Sequence, residues 1–351
     1  MAQFLIKSSS RSFSQKIEGK GRFIFRVFIA TCLCVVIFFG MLVNNHMDNY
    51  MVHGGQKSIV HVVYNNETLK DNFKKEKVKN LLDGCYHVYI DVGTNVGIQI
   101  RKLFEPEKYP EANVHQVFDI TFGNSTERLQ KTIDGGNMIC AIGFEPNSHH
   151  TKQLSKIELK YRQCGWRVII FTEAAASDKN GIGKFYTDES YANMEWGGGV
   201  LPPNINNIAQ EKQKSNTAPE FKEVTLIRLS EFLSDVVGTR KIPTPINSSI
   251  PPQVVMKMDI EGSEVDVIPD MLFTGGFQYV NTLMVEWHER LERLEERKSA
   301  QNQLQSIVRT LSEYSDTMKD SGAKFSFKEM DIDDETYYTS DFDFPSCIPT
   351  Y

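Results

Sequence analysis

The sequence has no excess of positive charge, no Cys-x-x-Cys pair and no internal repeat. Its 351 residues include 39 Lys plus Arg against 45 Asp plus Glu, a net charge of -6. Nucleic-acid-binding proteins usually carry a basic face, so this balance argues against that class. No Cys-x-x-Cys motif occurs, which argues against a zinc site. With 40% hydrophobic and 24% charged residues, the composition excludes a disordered, collagen-like or multi-span membrane protein.

A long uncharged run stands near the N-terminus. Val27–Val43 contains no charged residue and, with residues 23–25, forms a nearly continuous apolar stretch of about 20 residues, enough to cross a bilayer. The apolar part of a cleaved signal peptide is shorter and ends at small residues, which are missing after Val43. A buried core helix is the alternative. We predict an uncleaved membrane anchor.

The charges that flank this run predict its orientation. Six basic residues and one acidic residue precede it, so the positive-inside rule leaves the N-terminus in the cytosol. Glycosylation motifs at Asn66, Asn124 and Asn247 are consistent with a lumenal remainder. We therefore predict a single-pass type II protein, with its main domain in the Golgi or ER lumen or outside the cell. The predicted parts are a cytosolic tail 1–26, a transmembrane helix 27–43, a stem 44–80 and a lumenal domain 81–351.

Four cysteines lie beyond the predicted span, which allows two disulfides in three connectivities. They are Cys85, Cys140, Cys164 and Cys347. The spacing does not choose among the three connectivities. Cys32 and Cys34 lie within the span itself.

From Tyr86 onward, short apolar runs alternate with helical patterns, which predicts an α/β fold with a mostly parallel sheet. The predicted strands are Val88–Val92, Met138–Phe144, Arg167–Thr172, Val254–Ile260 and Thr282–Glu286. The predicted helices are Ile98–Phe104, residues 148–163 with Asn147 as N-cap, and a helix within 290–316. Residues 105–137 form an unusually long connection. Residues 189–220, rich in Gly, Pro and Asn, predict a mobile loop near the site, and a featureless surface insertion fits them equally well.

A glycine-rich turn follows the first predicted strand. The segment Asp91–Gly97 reads Asp-Val-Gly-Thr-Asn-Val-Gly and leads into a helix. Glycine lets a ligand approach the backbone, and a helix N-terminus offers free N–H groups. The spacing matches neither the dinucleotide motif G-x-G-x-x-G nor the phosphate loop. A ligand with an adenosine but no phosphate fits better, and S-adenosylmethionine is the expected one, with Asp91 beneath its methionine part.

Carboxylates follow the second and fourth strands. Glu145, before Pro146, can accept both hydroxyls of a ribose, and the alternative is an acidic residue that a helix dipole favours. Asp259 and Glu261 can bind a cation, position a substrate or transfer a proton. The alternative is that these acidic residues lie in the first turn of a helix, where the helix dipole favours them. That alternative accounts for Glu264 but accounts poorly for Asp259.

Histidines follow two of these strands. His288, after the fifth strand, is the best candidate for a general base because imidazole titrates near neutral pH. A structural histidine is the alternative. His149 and His150 are secondary candidates that we expect to be solvated.

Taken together, these segments resemble the FkbM-type methyltransferases, a branch of the S-adenosylmethionine-dependent Rossmann-like enzymes. The resemblance covers roughly residues 85–290. The matching segments are Asp91–Gly97, Gly143–Asn147, Ala174–Gly181, Val224–Leu226 with Leu229–Leu233, Lys257–Glu264 and Val285–His288. It implies a Rossmann-like class I methyltransferase fold, a mostly parallel seven-stranded sheet with helices on both faces and a reversed edge hairpin from 323–339. It also implies O-methylation of a hydroxyl on a glycan or small molecule.

The resemblance also implies roles for individual residues. The cofactor residues would be Asp91, Gly93, Asn95, Gly97, Glu145, Pro146, Ser177 and Asp178, the last two near the adenine. The residues facing the reacting groups would be Asp259, Glu261 and His288. No metal ligand is assigned, and a divalent cation at Asp259 and Glu261 stays open. The family often has Asp after its Thr-x-Leu segment, where this chain has Arg228 and Ser230, and this departure leaves the acceptor open.

Two other functions compete with this reading. A type II glycosyltransferase that uses a nucleotide sugar fits the topology, and Asp331–Asp333 and Asp341–Asp343 match its Asp-x-Asp pattern. A solvated acidic loop explains those acids as well. A non-catalytic lumenal binding protein that keeps the fold is the third reading, since fold does not imply function.

Overall fold

The computed structural model describes residues 80–186, 198–200, 221–245, 248–288, 295–319 and 327–330. The predicted tail and span, and the stem up to residue 79, lie outside these ranges, as do both Asp-x-Asp motifs and two of the glycosylation motifs. Within the described ranges, no helix is long and apolar enough to cross a membrane.

Nine strands and seven α-helices organise the described residues. The strands are β1 Cys85–Val92, β2 Asn137–Glu145, β3 Arg167–Thr172, β4 Ala174–Ser177, β5 Gly181–Tyr186, β6 Phe221–Arg228, β7 Val254–Met258, β8 Thr282–Val285 and β9 Lys328–Met330. The helices are α1 Ile98–Phe104, α2 Val114–Phe122, α3 Ser125–Arg128, α4 Thr151–Gln163, α5 Leu229–Phe232, α6 Glu264–Thr274 and α7 Glu295–Lys319. The described residues also include two short 3₁₀ turns, at Pro106–Lys108 and Gly276–Tyr279, and a π-helical turn at Leu233–Val237.

A six-stranded parallel sheet forms the centre, in the order β3-β2-β1-β7-β8-β9. The order reverses beside β1, as in doubly wound folds. The predicted α/β fold with a mostly parallel sheet is therefore confirmed. Of the expected seven-stranded sheet with a reversed hairpin from 323–339, the structure describes six strands, and β9, the described strand of that segment, runs parallel to β8 and is not reversed.

The central strands are buried on both faces, which explains their nearly continuous apolar sequences. All eight residues of β1 are buried. Val88 and Ile90 pack into one hydrophobic layer with α5, α6 and α7, while Tyr89 packs into the opposite layer with α1, α2 and α4. The period-two alternation of the strand thus serves two cores, one on each face of the sheet.

The long connection 105–137 is largely helical. Its helix α2 buries Val114, Val117, Phe118 and Phe122 against the face that carries α1 and α4. Arg128, at the end of α3, is buried and donates hydrogen bonds to Asp119 and to the carbonyl oxygen of Gly123. The connection therefore extends one core of the fold.

A second sheet has the order β4-β6-β5, with β4 parallel and β5 antiparallel to β6. Its inner face buries Ala175, Phe185, Val224 and Leu226. The sequence patterns did not predict this sheet.

Helix α4 begins three residues later than predicted. His150, and not Asn147, precedes its first residue. The side-chain oxygen of Asn147 accepts the N–H of His149 at 3.0 Å, which forms a turn before the helix. The same preference of asparagine for local hydrogen bonds suits both a turn and a helix cap, so the sequence pattern placed the boundary too early.

Within the described residues, one disulfide joins two of the four cysteines that follow the predicted span. Cys85 and Cys140 form a disulfide between β1 and β2, with 5.7 Å between their Cα atoms. Cys164 is disulfide-bonded as well, and its partner lies outside the described residues.

Removal of the Cys85–Cys140 disulfide should lower stability. The bond closes a loop with a sequence separation of 55 residues, and loss of a native disulfide typically costs roughly 2–5 kcal/mol. We expect the double variant Cys85→Ala/Cys140→Ala to unfold at a clearly lower temperature in differential scanning calorimetry. An unchanged midpoint would show that parallel strand pairing alone holds β1 to β2.

Candidate functional site

A cleft opens where the carboxyl ends of β1, β2 and β7 meet. Parallel strands bring their carboxyl ends to one edge, and a reversal of strand order leaves a crevice there. The cleft encloses about 590 Å³, including the part open to solvent. Its lining residues are Gly93, Asn95, Phe144, Glu145, Pro146, His150, Ala175, Ala176, Phe185, Gly198, Gly199, Val200, Asp259, Ile260, Glu261 and Ser263.

The predicted glycine turn forms the floor of this cleft. Gly93 has φ +92°, and a Cβ there would lie 1.8 Å from the carbonyl oxygen of Asp259. Gly97 has φ +90°, and a Cβ there would lie 2.9 Å from Ile157. Gly93 lines the cleft, whereas Gly97 packs behind it against α4. Glycine is therefore required at both positions, for backbone conformation and for space.

Asp91 lies beneath this turn, wholly buried, and neither of its carboxylate oxygens has a hydrogen-bond partner among the described residues. Burial raises its pKa from the ordinary 3.8 to about 7, although Lys257 opposes the shift. A buried carboxylate without hydrogen bonds favours its neutral form because desolvation penalises the charge.

Glu145 lines the cleft at the end of β2 and is only 5% exposed. One carboxylate oxygen accepts the N–H of Asn95 at 2.5 Å, and the other accepts the N–H of Asn147 at 2.7 Å. These two bonds fix the carboxylate between the ends of β1 and β2. Each oxygen keeps a lone pair for hydroxyl donors of a ligand.

Lys257, which is buried, and Asp259, which is half-buried, form an ion pair at the end of β7. The ammonium of Lys257 donates to Asp259 Oδ2 at 2.6 Å. Burial by itself lowers the pKa of Lys257, but Asp259 and Asp91 outweigh it and raise that pKa. Burial likewise raises the pKa of Asp259, but Lys257 outweighs it and lowers that pKa. Asp259 is therefore held as a carboxylate where it meets the cleft.

His288 lies behind Asp259 and Glu261 and is not among the described residues that line the cleft. Its Nε2 is 3.4 Å from Asp259 Oδ1 and 3.7 Å from oxygens of Glu261 and Glu286. Its Nδ1 is 3.3 Å from Glu264 Oε1. Burial by itself lowers the pKa of His288, but these carboxylates raise it to about 9. This pKa lies above the neutral range on which the prediction of a general base relied.

The donor atoms of Asp259, Glu286 and His288 lie within 4.8 Å of one another, a set that can ligate a cation. The ammonium of Lys257 already contacts Asp259, and a metal would also have to displace the proton of His288. No step of the reaction proposed below therefore depends on a divalent cation.

Two predicted cofactor residues are placed elsewhere. Ser177 is buried and donates to Asp178 Oδ1 at 3.0 Å, and neither residue is among the described residues that line the cleft. Ala175 and Ala176 of the same strand line it instead. Arg228 and Ser230 both bond to Asp270 of α6, so they anchor β6 and α5 away from the cleft.

Two further polar residues line the cleft. His150, a secondary base candidate that was expected to be solvated, is 7% exposed, and its Nδ1 lies 3.7 Å from Glu145 Oε1. Ser263, to which the sequence patterns assigned no role, lines the cleft as well. Both residues lie a few positions after the end of a strand.

Comparison of the chain with known protein families, with curated proteins and with solved structures finds no match in any of the three. The functional assignment therefore rests on the cleft and its residues.

Asp91 should make stability depend on pH. Its pKa in the folded protein, about 7, lies above the value of 3.8 expected in the unfolded chain. The folded state thus holds the proton more tightly, and this contribution is complete below about pH 4 and lost as the pH rises to about 7. Asp91→Asn cannot ionise, so its melting temperature should rise relative to wild type between pH 4 and 7. If the difference in melting temperature between Asp91→Asn and wild type stayed the same from pH 4 to 7, the raised pKa of Asp91 would be contradicted. Asp235→Asn, at an exposed position, is the control.

His288 should remain protonated at neutral pH. Histidine-selective NMR should resolve the rings of the eight histidines, and the signal lost in His288→Gln identifies this one. We expect its pKa near 9, and a decrease in Glu264→Gln because the carboxylate nearest Nδ1 loses its charge. Titration near pH 6.5 in the wild type would restore His288 as a neutral-pH base.

Proposed function

We propose that the protein is an S-adenosylmethionine-dependent methyltransferase that O-methylates a hydroxyl of a glycan or small molecule. The observation that carries this proposal is the Glu145 carboxylate, held by the N–H groups of Asn95 and Asn147 beside the glycine turn. A fixed acceptor at this edge suits the two hydroxyls of a ribose. The resemblance to FkbM-type methyltransferases, with their seven-stranded sheet, supports the same reading.

The cleft residues fit this cofactor. Glu145 would hold the ribose, and the apolar side chains of Ala175, Ala176 and Phe185 would cover the adenine. Gly93 leaves room for close approach at the backbone. Asp91, whose oxygens have no hydrogen-bond partner among the described residues, is buried beneath the turn and is not among the described residues that line the cleft, so it would support the turn rather than contact the cofactor.

S-adenosylmethionine, when bound, supplies an electrophilic methyl group. The chain itself must orient the acceptor hydroxyl and receive its proton, and much of such catalysis is orientation. Asp259 lines the cleft, and its Oδ1, which Lys257 does not contact, lies 3.4 Å from Nε2 of His288. Asp259 Oδ1 would accept the hydroxyl proton, while Glu261 binds the acceptor beside it. His288, protonated and outside the lining, acts as a positioning residue for both carboxylates.

We propose a type II membrane topology with this domain in the lumen. The Cys85–Cys140 disulfide suits an oxidising compartment. Asn124 of the described glycosylation motif is exposed at the start of α3, where its side chain caps the helix. Both observations support the secretory side of a membrane.

Calorimetric titration of the full-length chain, purified in detergent, tests the proposal. We expect S-adenosylmethionine and S-adenosylhomocysteine to bind, and Glu145→Gln to weaken both about tenfold or more, because hydrogen bonds to a charged group are lost. Glu158→Gln, which alters a glutamate of α4 outside the cleft lining, is the matched control.

Other outcomes point to the competing functions. Binding of a nucleotide sugar with manganese, and of neither adenosyl ligand, would favour the glycosyltransferase. Cofactor binding that Glu145→Gln leaves unchanged would contradict the site assignment.

A further inference from the structure

Ser263 stands at the start of α6 but does not cap the helix. A serine at this position usually accepts an N–H of the first turn through its side chain. Ser263 has φ -76° and ψ -6°, a helical conformation, and makes no such bond. The carboxylate of Glu264 instead reaches back to the N–H of Ile260 at 2.8 Å. The hydroxyl of Ser263 is therefore not needed for the helix.

This hydroxyl is buried without a partner. Ser263 is 4% exposed, and its Oγ has no hydrogen-bond partner among the described residues. Ser230 is equally buried, and its hydroxyl donates to Asp270. Buried polar groups are normally hydrogen-bonded, so an exception needs an explanation. Since Ser263 lines the cleft, a ligand in the cleft can supply the missing partner.

The backbone before Ser263 is also unusual. Glu261 has φ +54° and Gly262 has φ +97°, two successive left-handed residues. A non-glycine residue in this region is strained and persists only where its surroundings hold it. The turn places Glu261 and Ser263 in the lining of the cleft, close in sequence to Asp259, and we call these three residues its acidic wall.

The charges of this wall indicate which ligand group Ser263 meets. Asp259 and Glu261 line the wall, so it favours a positively charged donor over an anion. Lys257 and His288 offset part of this charge, but neither is among the described residues that line the cleft. A hydroxyl beside two carboxylates is suited to accept a hydrogen bond from an ammonium group.

We infer that Ser263 Oγ accepts a hydrogen bond from the α-ammonium group of bound S-adenosylmethionine. This inference rests on the proposed function. The proposed function assigns the adenosine to Glu145 and the apolar residues, which leaves the amino-acid end of the cofactor for Ser263 and the acidic residues beside it. Ser263 is thus a cofactor-binding residue to which the sequence patterns assigned no role.

A pair of ligands isolates this contact. S-adenosylhomocysteine carries the amino-acid end, whereas 5′-methylthioadenosine lacks it. Ser263→Ala should weaken binding of the first about tenfold, because one hydrogen bond to a charged group is lost, and should change binding of the second less than about twofold. Ser263→Thr keeps the hydroxyl and should restore most of the affinity. Binding is measured by calorimetry on the full-length chain.

Thermal unfolding without ligand gives an independent readout. Ser263→Ala should not lower the melting temperature, because it removes a hydroxyl that has no partner in the ligand-free fold. Ser230→Ala, the control, should lower the melting temperature through loss of its bond to Asp270 and leave S-adenosylhomocysteine affinity unchanged.

The outcomes separate the two proposals. If wild type binds neither ligand, the proposed function fails and this inference fails with it. If wild type binds S-adenosylhomocysteine and Ser263→Ala binds it equally well, only the role of Ser263 is overturned. Equal weakening for both ligands would also overturn it, since the amino-acid end would then make no difference.

Discussion

The close contact between two strand-end turns determines the rest of this site. The backbone of Gly93 lies so near the carbonyl of Asp259 that a Cβ would stand 1.8 Å away. This contact joins the turn after β1 to the turn after β7 and forms the floor of the cleft. Asp91, Lys257 and Asp259 lie close together at the same edge of the sheet, so that the pKa of each depends on the charges of the others.

Electrostatic interactions among these side chains decide which of them are protonated. Burial alone would favour neutral forms of Asp91, Lys257 and Asp259, but the ammonium of Lys257 keeps Asp259 ionised, while Asp91 stays largely without compensation. The surrounding carboxylates stabilise the protonated form of His288 and raise its pKa. Residue type alone suggested a histidine that is neutral near pH 7, whereas its neighbours favour the charged ring.

Much of the fold and part of the site followed from local patterns. The β1 turn, the buried strands and Glu145 were predictable because strand burial, glycine turns and strand-end carboxylates depend on residues close in sequence. The second sheet was not predictable. Glu173, with φ +55°, follows β3 and redirects the chain, and hydrophobic periodicity does not reveal such a change of direction. Ser177 and Asp178 are not among the described residues that line the cleft, whereas Ala175 and Ala176 of the same strand are.

The sequence by itself determined the α/β class, the glycine turn and the strand-end carboxylates, because periodicity and glycine conformation are properties of short segments. Tertiary structure alone decided the Cys85–Cys140 pairing, the protonation of His288 and the unpartnered hydroxyl of Ser263. Each of these depends on distances between residues far apart in the chain or on burial from water. Coulombic and desolvation energies follow those distances, and local sequence does not contain them.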